Sequence, residues 1–120
     1  MIDLNQYLRF RPGYEKALTP DFYPIEYLDE KAVSGDAVEF STDNSAILVE
    51  IRVYPGGARV AHGLVATGDL DEIRVLIGMA EQWGRDNGCT RAMIESREGW
   101  QKALKSQGYA PWQVTLVKDL

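Results

Sequence analysis

Three side chains that could move a proton lie on or at the ends of predicted strands. His62 is the sole histidine of the chain, and its ring titrates near neutral pH, which makes it a candidate general base. Glu50 and Glu95 each carry a carboxylate able to deprotonate an amine. A half-buried structural histidine, with no acidic partner nearby in the sequence, and solvated strand-face acids are the competing interpretations.

Two further residues raise chemical questions. Arg97 stands near the start of a predicted helix, where a positive charge opposes the helix dipole. It therefore needs a partner, either a bound carboxylate or phosphate, or simply Glu95 or Glu98 in a salt bridge. Cys89 is the only cysteine, so no disulfide can form within the chain. Without a recognisable Cys/His pairing, it is predicted to be a small core residue rather than a nucleophile.

The strands that position these residues form a predicted three-stranded meander. Residues 37–41 are a short strand, and residues 46–54 alternate, with Glu50 and Arg52 pointing away from Ile51. After the turn Pro55-Gly56-Gly57, residues 58–67 return as a third strand. Its alternation places one set of side chains on one face: Val60, His62, Leu64 and Ala66.

A long amphipathic helix over residues 69–87 follows this strand. Asp69 is predicted to cap it, and Glu72 completes a variant of the capping box. Apolar side chains repeat at helical spacing, and Asn87-Gly88 marks the end. Beyond it come a strand at 89–95, a helix capped by Ser96 and running to about Gln107, and a final alternating strand at 112–118.

The first 35 residues are predicted to form a less regular region. Leu4, Tyr7 and Leu8 fit a short helix or an extended arm, and Arg11-Pro12-Gly13 predicts a break. A second helix begins near Thr19-Pro20, or a turn later because of Pro24, and ends at residues 34–36. Aromatic side chains crowd this region and either line a substrate groove or protein interface or cover the sheet face: Tyr7, Phe10, Tyr14, Phe22, Tyr23 and Tyr27.

The element order predicts an α+β fold with a mixed sheet, β-β-β-α-β-α-β, after an N-terminal helical region. We expect one domain over residues 1–120, with residues 36–120 as its core. The net charge of −5 and the pI of about 4.8 argue against nonspecific nucleic-acid binding. No stretch is apolar enough to span a membrane, no signal peptide is apparent, and no metal site is expected, so a cytoplasmic protein is predicted.

Besides the element order, several short segments of the sequence resemble those of a known protein family. The run from Glu81 to Cys89 is similar to the end of the central helix in the GNAT superfamily of acyl-CoA-dependent N-acyltransferases. Residues 106–109 and 117–120 look like the close of its last helix and its chain ending. Residues 95–109 resemble small GNAT-like proteins of bacteriophages and prophages. The resemblance covers residues 37–120.

This resemblance implies acetyl-CoA as cofactor and an amine as acceptor. The strand end Leu64, Val65 and Ala66 would pair with the pantetheine arm, and Gly68 and Arg97 are further implied cofactor-binding positions. His62 and Glu50 are the candidate bases. The loop at 66–72 departs from the family pattern, because it keeps one glycine, lacks the usual basic or amide residue and carries three acids.

The last helix departs from the pattern as well. The position of the family's tyrosine general acid is Leu104, and the position of its asparagine is Arg97, while Tyr109 matches the closing core aromatic. The sequence thus supports a divergent N-acetyltransferase of phage or prophage type, acting on a small-molecule or protein amine. The alternative is a catalytically inactive GNAT-fold protein that binds a partner through its N-terminal aromatics, as a virion component or a factor in the host cytoplasm. An unrelated α+β domain with the same element order is a third interpretation.

Overall fold

The computed structural model describes residues 2–97 and 99–120, and it confirms the predicted fold class. The elements are helices α1 (Leu4–Ala17) and α2 (Ile25–Ser34), strands β1 (Val38–Ser41), β2 (Ala46–Val53) and β3 (Arg59–Thr67), helix α3 (Leu70–Asp86), strand β4 (Arg91–Ile94) and helix α4 (Gly99–Leu104). A single 3₁₀ turn, Lys105–Gln107, follows α4.

The four strands form one mixed sheet in the order β1-β2-β3-β4. The first three strands are antiparallel neighbours, as the short turns between them require. β3 and β4 are parallel, because the chain crosses over through α3 before it returns to the sheet.

Helices cover both faces of the sheet. On one face, α1 and α2 enclose a core that includes Tyr14, Leu28 and Leu48. On the other face, α3 and α4 enclose a second core that includes Val49, Leu76 and Leu104. The alternation of β2 divides its side chains between these two cores.

Helix α1 corrects the predicted break at Arg11-Pro12-Gly13, because it continues through these residues to Ala17. The carboxylate of Asp3 caps its start by accepting from the Asn5 and Gln6 amides. Gly13 permits close packing against the sheet: a Cβ built there would lie 2.3 Å from Oγ1 of Thr67. The missing side chain at this position therefore lets α1 approach the end of β3.

Helix α2 begins at Ile25, so the delay attributed to Pro24 is confirmed. The preceding residues, from Thr19, form a turn in which the Phe22 and Tyr23 amides donate to the Thr19 carbonyl. Gly35 ends the helix with a φ of 81°, a left-handed conformation that glycine adopts without strain.

Helix α3 begins as predicted, with the Asp69 carboxylate accepting from the Glu72 amide. The reciprocal half of the predicted capping box is wrong. The Glu72 carboxylate accepts from the hydroxyl of Thr42, and the Asp69 amide donates to Oγ of Ser45 at 2.9 Å. The first turn of α3 is thereby bonded to the β1–β2 turn.

The end of the chain differs most from the prediction. The expected strand at 112–118 does not form, and residues 110–120 lie outside any helix or strand. No cap bond to Ser96 is present among the described residues, where its hydroxyl donates to the Arg97 carbonyl and α4 spans Gly99–Leu104. A strand needs a neighbour to satisfy its backbone, and alternation alone does not provide one.

Candidate functional site

The parallel pair β3 and β4 separates part-way along its length. Hydrogen-bonded pairing runs from Val60 beside Arg91 to Gly63 beside Ile94. β3 then continues to Thr67, whereas β4 ends at Ile94. The backbone of residues 64–67 therefore has no strand on its β4 side, and an opening lies between the two strand ends.

A β-bulge distorts β3 at the start of this opening. Val49 pairs with Gly63 and Leu48 pairs with Val65, so Leu64 is an extra residue in the ladder. The predicted grouping of His62, Leu64 and Ala66 on one face is therefore wrong. Val65 packs with the core beneath α1, and Ala66 packs with the core beneath α3. Bulges of this kind redirect side chains beside functional sites.

The opening leads into a cavity of ≈ 530 Å³. One wall is the bulged part of β3, and the facing wall comes from Ala92 to Arg97. Most of the other lining side chains are apolar or aromatic, and they include Phe22, Tyr23, Tyr27, Ile73, Ile77, Ala80, Trp100 and Tyr109. Trp100 and Tyr109 thus line the cavity and leave the gap between the strands open.

His62 lies at the polar end of this cavity, between two carboxylates. Its Nδ1 atom is 3.1 Å from Oε2 of Glu50, and its Nε2 atom is 3.0 Å from Oε1 of Glu95. The histidine and Glu50 are buried, whereas the side chain of Glu95 is 63% exposed. His62 and Glu95 both line the cavity, and Glu50 lies behind the imidazole.

This arrangement needs more hydrogens than neutral imidazole supplies. A neutral ring has one N–H, whereas ionised carboxylates only accept. Both contacts of His62 become hydrogen bonds only when the ring carries a second proton or when Glu95 is protonated. A proton added to the ring or to Glu95 would complete both contacts of His62.

Glu50 is held ionised by two cations. Nζ of Lys31 lies 2.7 Å from one carboxylate oxygen and a guanidinium nitrogen of Arg52 lies 2.9 Å from the other. Burial opposes the charge of Glu50, but the hydrogen bonds and charges of Lys31 and Arg52 outweigh it, and the pKa of Glu50 is lowered. Arg52 also bridges to Glu95 at 3.4 Å.

The predicted cofactor positions are distributed unevenly around the cavity. Leu64, Val65, Ala66 and Arg97 line it, whereas Gly68 lies outside the lining. The structure rejects a salt bridge between Arg97 and Glu95, because no carboxylate among the described residues lies within 4.0 Å of Arg97 and Glu95 contacts Arg52 and His62. The alternative pairing with Glu98 falls outside the described residues.

The start of α3 is partly satisfied by its own chain. Gly68 has a φ of 116°, and a Cβ built there would lie 2.3 Å from Oγ of Ser45. The Asp69 amide donates to Ser45 and the Glu72 amide donates to the Asp69 carboxylate, as described above. Asp71 adds an exposed carboxylate that reaches Arg74 at 3.6 Å. A phosphate approaching this end would meet like charge.

Tyr109 and Glu81 form a polar contact that the sequence did not indicate. The tyrosine hydroxyl donates to the Glu81 carboxylate at 2.6 Å, and both residues line the cavity. Burial, together with the negative charge of Glu81, raises the pKa of Tyr109. Leu104 is 2% exposed in the core beneath α3. A tyrosine 28 positions after a glutamate gives no local signal of this pairing.

The N-terminal aromatics divide between the sheet face and the cavity. Tyr7, Phe10 and Tyr14 are buried and cover the sheet face. Phe22 and Tyr23 are 71% and 44% exposed at the cavity. Tyr27, whose ring lies 5.1 Å from that of Tyr23, completes this aromatic wall.

The described part of the chain presents neither a metal-binding cluster nor a membrane-spanning helix. No group of three or more His, Cys, Asp or Glu side chains within it is arranged to hold a metal ion. Glu50 and Glu95 occupy opposite sides of the His62 ring and do not converge on one point. Within the same residues, no helix combines the length and the apolar character needed to cross a bilayer.

Comparison with known proteins shows which solved structures share this fold. No protein-family model matches the sequence, and the curated proteins contain no significant match. Among solved structures, an aminoglycoside N-acetyltransferase, AAC(6')-Iy, in complex with CoA superposes with a TM-score of 0.73 at 12% identity, over 99% of this chain and 91% of that one. The chain has the GNAT fold.

Two other GNAT structures agree with this assignment. A predicted acetyltransferase from Clostridium acetobutylicum, solved with acetyl-CoA, gives a TM-score of 0.72 at 8% identity, covering 98% of this chain and 92% of that one. Glucosamine-6-phosphate N-acetyltransferase from Arabidopsis thaliana gives 0.62 at 10% identity, with coverages of 98% and 94%. At identities this low, the superpositions establish the GNAT fold of the chain. The gap between strands β3 and β4 is the feature of that fold that can be tested for function.

Proposed function

We propose that this protein transfers an acetyl group from acetyl-CoA to an amine in the cavity between β3 and β4. The observation that carries the proposal is the divergence of these strands beyond Gly63 and Ile94, with His62 at the polar end of the space that opens. Solved structures with the same fold hold CoA or acetyl-CoA. They support this assignment by analogy of fold.

The apolar part of the cavity suits the pantetheine arm. Because β4 ends at Ile94, main-chain groups of residues 64–66 have no strand partner on the β4 side, and they can bond the amide groups of the arm. When bound, acetyl-CoA supplies a thioester that an amine can attack. Arg97, with no carboxylate of the described residues beside it, would contact the phosphates.

The start of α3 fits the pyrophosphate less well. The acids Asp69 and Asp71 disfavour it, and the Asp69 amide is already bonded to Ser45. The Leu70 and Asp71 amides have no partner among the hydrogen bonds of the described residues, and they offer two donors for a phosphate oxygen. We therefore expect weaker CoA binding than a basic loop would give.

The chain's own residues account for the amine proton. An attacking amine must be neutral. Two carboxylates line the cavity: Glu81 accepts from Tyr109, and Glu95 lies exposed beside His62. We assign Glu95 as the first acceptor of the proton and His62 as the group that shares it through Nε2. Glu50, which faces away from the cavity, orients the imidazole through Nδ1. Proton uptake then completes both hydrogen bonds of His62.

The leaving thiolate has no acid at the position of Leu104. Tyr109 lines the cavity, but its hydroxyl hydrogen is donated to Glu81 and its raised pKa makes it a weak acid. We therefore assign Tyr109 to holding the cavity wall and expect the thiolate to be protonated from solvent. The aromatic wall of Phe22, Tyr23 and Tyr27 would contact the acceptor amine's carbon skeleton.

Titration of acetyl-CoA by calorimetry, followed by an acetylation assay with a panel of primary amines, tests this function. We expect saturable binding and thiol release that depends on the amine. Absence of binding at millimolar acetyl-CoA would exclude the enzyme and favour the inactive binding protein, for which the acidic, partly self-bonded start of α3 is the supporting observation. Phage or prophage origin and a cytoplasmic location stay predictions.

A further inference from the structure

Two aromatic side chains of the cavity between β3 and β4 are exposed. Phe22 and Tyr23 are 71% and 44% exposed, and both line the cavity together with Tyr27. Large apolar side chains that stay uncovered around a cavity mark a surface that a ligand can cover. The pantetheine arm is expected along residues 64–66, so the aromatic wall is left for the acceptor.

The turn that presents these rings is fixed by its backbone. The amides of Phe22 and Tyr23 both donate to the Thr19 carbonyl, at 3.0 and 2.9 Å. Pro20 and Pro24 flank the two aromatic residues, and each proline ring restricts the φ angle of its own residue. A binding surface that is held in place before the ligand arrives loses less entropy on binding. The backbone that carries the exposed rings is therefore preorganised for a ligand.

Tyr27, the third residue of the aromatic wall, connects it to the polar end of the cavity. Its ring centroid lies 5.1 Å from that of Tyr23, and Nζ of Lys31 lies 5.0 Å from the Tyr27 centroid. Lys31 in turn bonds the carboxylate of Glu50, which contacts His62. A ligand that covers the aromatic wall therefore lies close to the group of side chains around the histidine.

The polar side chains at that end already bond one another. Arg52 contacts Glu50 and Glu95, and His62 lies between the same two carboxylates. Both contacts of Glu95 with the described residues use Oε1, which leaves Oε2 for one ammonium group. A polyhydroxylated amine would need several further partners, and hydroxyls buried without them lose affinity. This side of the cavity therefore suits a single cationic nitrogen on an apolar skeleton.

We propose that the acceptor is a small arylalkylamine, a primary amine joined to an aromatic ring by a short carbon chain. This inference rests on the proposed acetyl transfer. The ammonium group would bond Oε2 of Glu95, and the ring would lie against Phe22 and Tyr23, where contacts between aromatic rings are favourable. The acceptor must be small, because it shares a cavity of ≈ 530 Å³ with the pantetheine arm.

The transfer balances with the groups on this side of the cavity. Glu95 takes one ammonium proton, and the neutral nitrogen forms a C–N bond to the acetyl carbon as the thioester C–S bond breaks. The nitrogen loses its second proton to solvent, and solvent protonates the CoA thiolate. The third proton stays on the amide of the product, an N-acetyl arylalkylamine.

Acetylation kinetics with three primary amines test the substrate class. The probes are 2-phenylethylamine, ethylamine, which lacks the ring, and glucosamine, whose ring carries hydroxyls. We expect kcat/KM for 2-phenylethylamine to exceed that for each of the others by about 100-fold. An equal or higher value for glucosamine would overturn the inference. A peptide with an N-terminal phenylalanine that outperforms 2-phenylethylamine would also overturn it, because the acceptor would then be a polypeptide.

Substitutions in the aromatic wall locate the ring. Phe22→Ala and Tyr23→Ala should each lower the ratio of kcat/KM for 2-phenylethylamine to that for ethylamine by about tenfold. The matched control is Trp112→Ala, which removes an aromatic side chain that is 70% exposed and lies outside the cavity lining. This control should keep the ratio of the unmodified chain. A ratio that both wall variants leave unchanged contradicts the assignment.

Equilibrium binding separates a failure of this inference from a failure of acetyl transfer. Calorimetric titration of 2-phenylethylamine into the chain without acetyl-CoA should show saturable binding that Phe22→Ala weakens. Amine binding without any binding of acetyl-CoA would exclude the transferase and still support the arylalkylamine site. Acetylation of ethylamine and glucosamine at rates equal to that of 2-phenylethylamine would overturn the site and leave the transferase intact.

Discussion

The imidazole of His62 and the carboxylate of Glu50 lie opposite each other on adjacent antiparallel strands, with Nδ1 3.1 Å from Oε2. The residues are separated by 12 positions in the sequence. The turn between β2 and β3 brings them into register, so the orienting acid of His62 comes from the neighbouring strand. This register gives the proposed acetyl transfer its proton-accepting group.

Replacing His62 should remove most of the catalytic rate. His62→Gln leaves a hydrogen-bonding side chain between Glu50 and Glu95 but cannot share the proton that Glu95 takes from the amine, so we expect kcat to fall by about 10²–10⁴-fold. Steady-state acetylation kinetics measure the loss, and acetyl-CoA titration should show an unchanged Kd. Unaltered kcat in a folded variant would exclude His62 from the reaction.

Glu50 should make stability depend on pH in a defined direction. Its pKa in the folded protein is below the ordinary value of 4.5. The ionised group therefore stabilises the fold above pH 4.5, and this contribution declines as the pH falls through the lowered pKa. Glu50→Gln should lower the free energy of unfolding by about 2 kcal/mol at neutral pH, since Lys31 and Arg52 lose their partner.

Urea unfolding at a series of pH values checks this expectation. The difference between the unmodified chain and Glu50→Gln should shrink as the solution becomes more acidic than pH 4.5. The control is Glu26→Gln, which changes an exposed carboxylate of α2. A pH-independent difference would mean that Glu50 contributes through packing instead of charge.

Gly13 should be intolerant of a side chain. A Cβ at this position would lie 2.3 Å from Oγ1 of Thr67, so Gly13→Ala must push α1 away from the end of β3. We expect a loss of about 1–3 kcal/mol in the free energy of unfolding. Gly78→Ala is the matched control, because a Cβ there meets nothing within 4 Å and α3 should gain about 0.5–1 kcal/mol. Equal effects at both positions would contradict the close packing of Gly13.

The acids at the start of α3 should weaken CoA binding. Asp71→Asn removes an exposed charge near the expected phosphate position, and the affinity for CoA should rise by up to about tenfold at low salt, which corresponds to about 1.4 kcal/mol. High salt should reduce the gain by screening. Glu30→Gln, an exposed change in α2, should leave the Kd unaltered. A weaker Kd with Asp71→Asn would show that the carboxylate assists binding.

Tyr109 should hold the cavity wall in place and take no part in proton transfer. Tyr109→Phe removes the hydroxyl that donates to Glu81 and should raise KM with little change in kcat. The pH profile of kcat should keep its shape. A selective fall in kcat, or a lost limb of the profile, would show that the hydroxyl takes part in the chemistry.

Local patterns in the sequence predicted the elements whose signals are short-range. The Asp69 cap, the helical stripe of α3 and the alternation of β2 each depend on neighbours a few positions away, and all three are present. The C-terminal segment shows the limit of such patterns. Residues 112–118 alternate as a strand does, but among the described residues no strand lies beside them.

The sequence by itself thus determined the α+β class, the order of most elements and His62 as a candidate base. The tertiary structure decided the bulge at Leu64, the separation of β3 from β4, and the placement of His62 between Glu50 and Glu95. These features depend on strand register and on contacts between distant segments. Side-chain periodicity records which face a residue occupies, but it does not record which residue of another strand lies opposite.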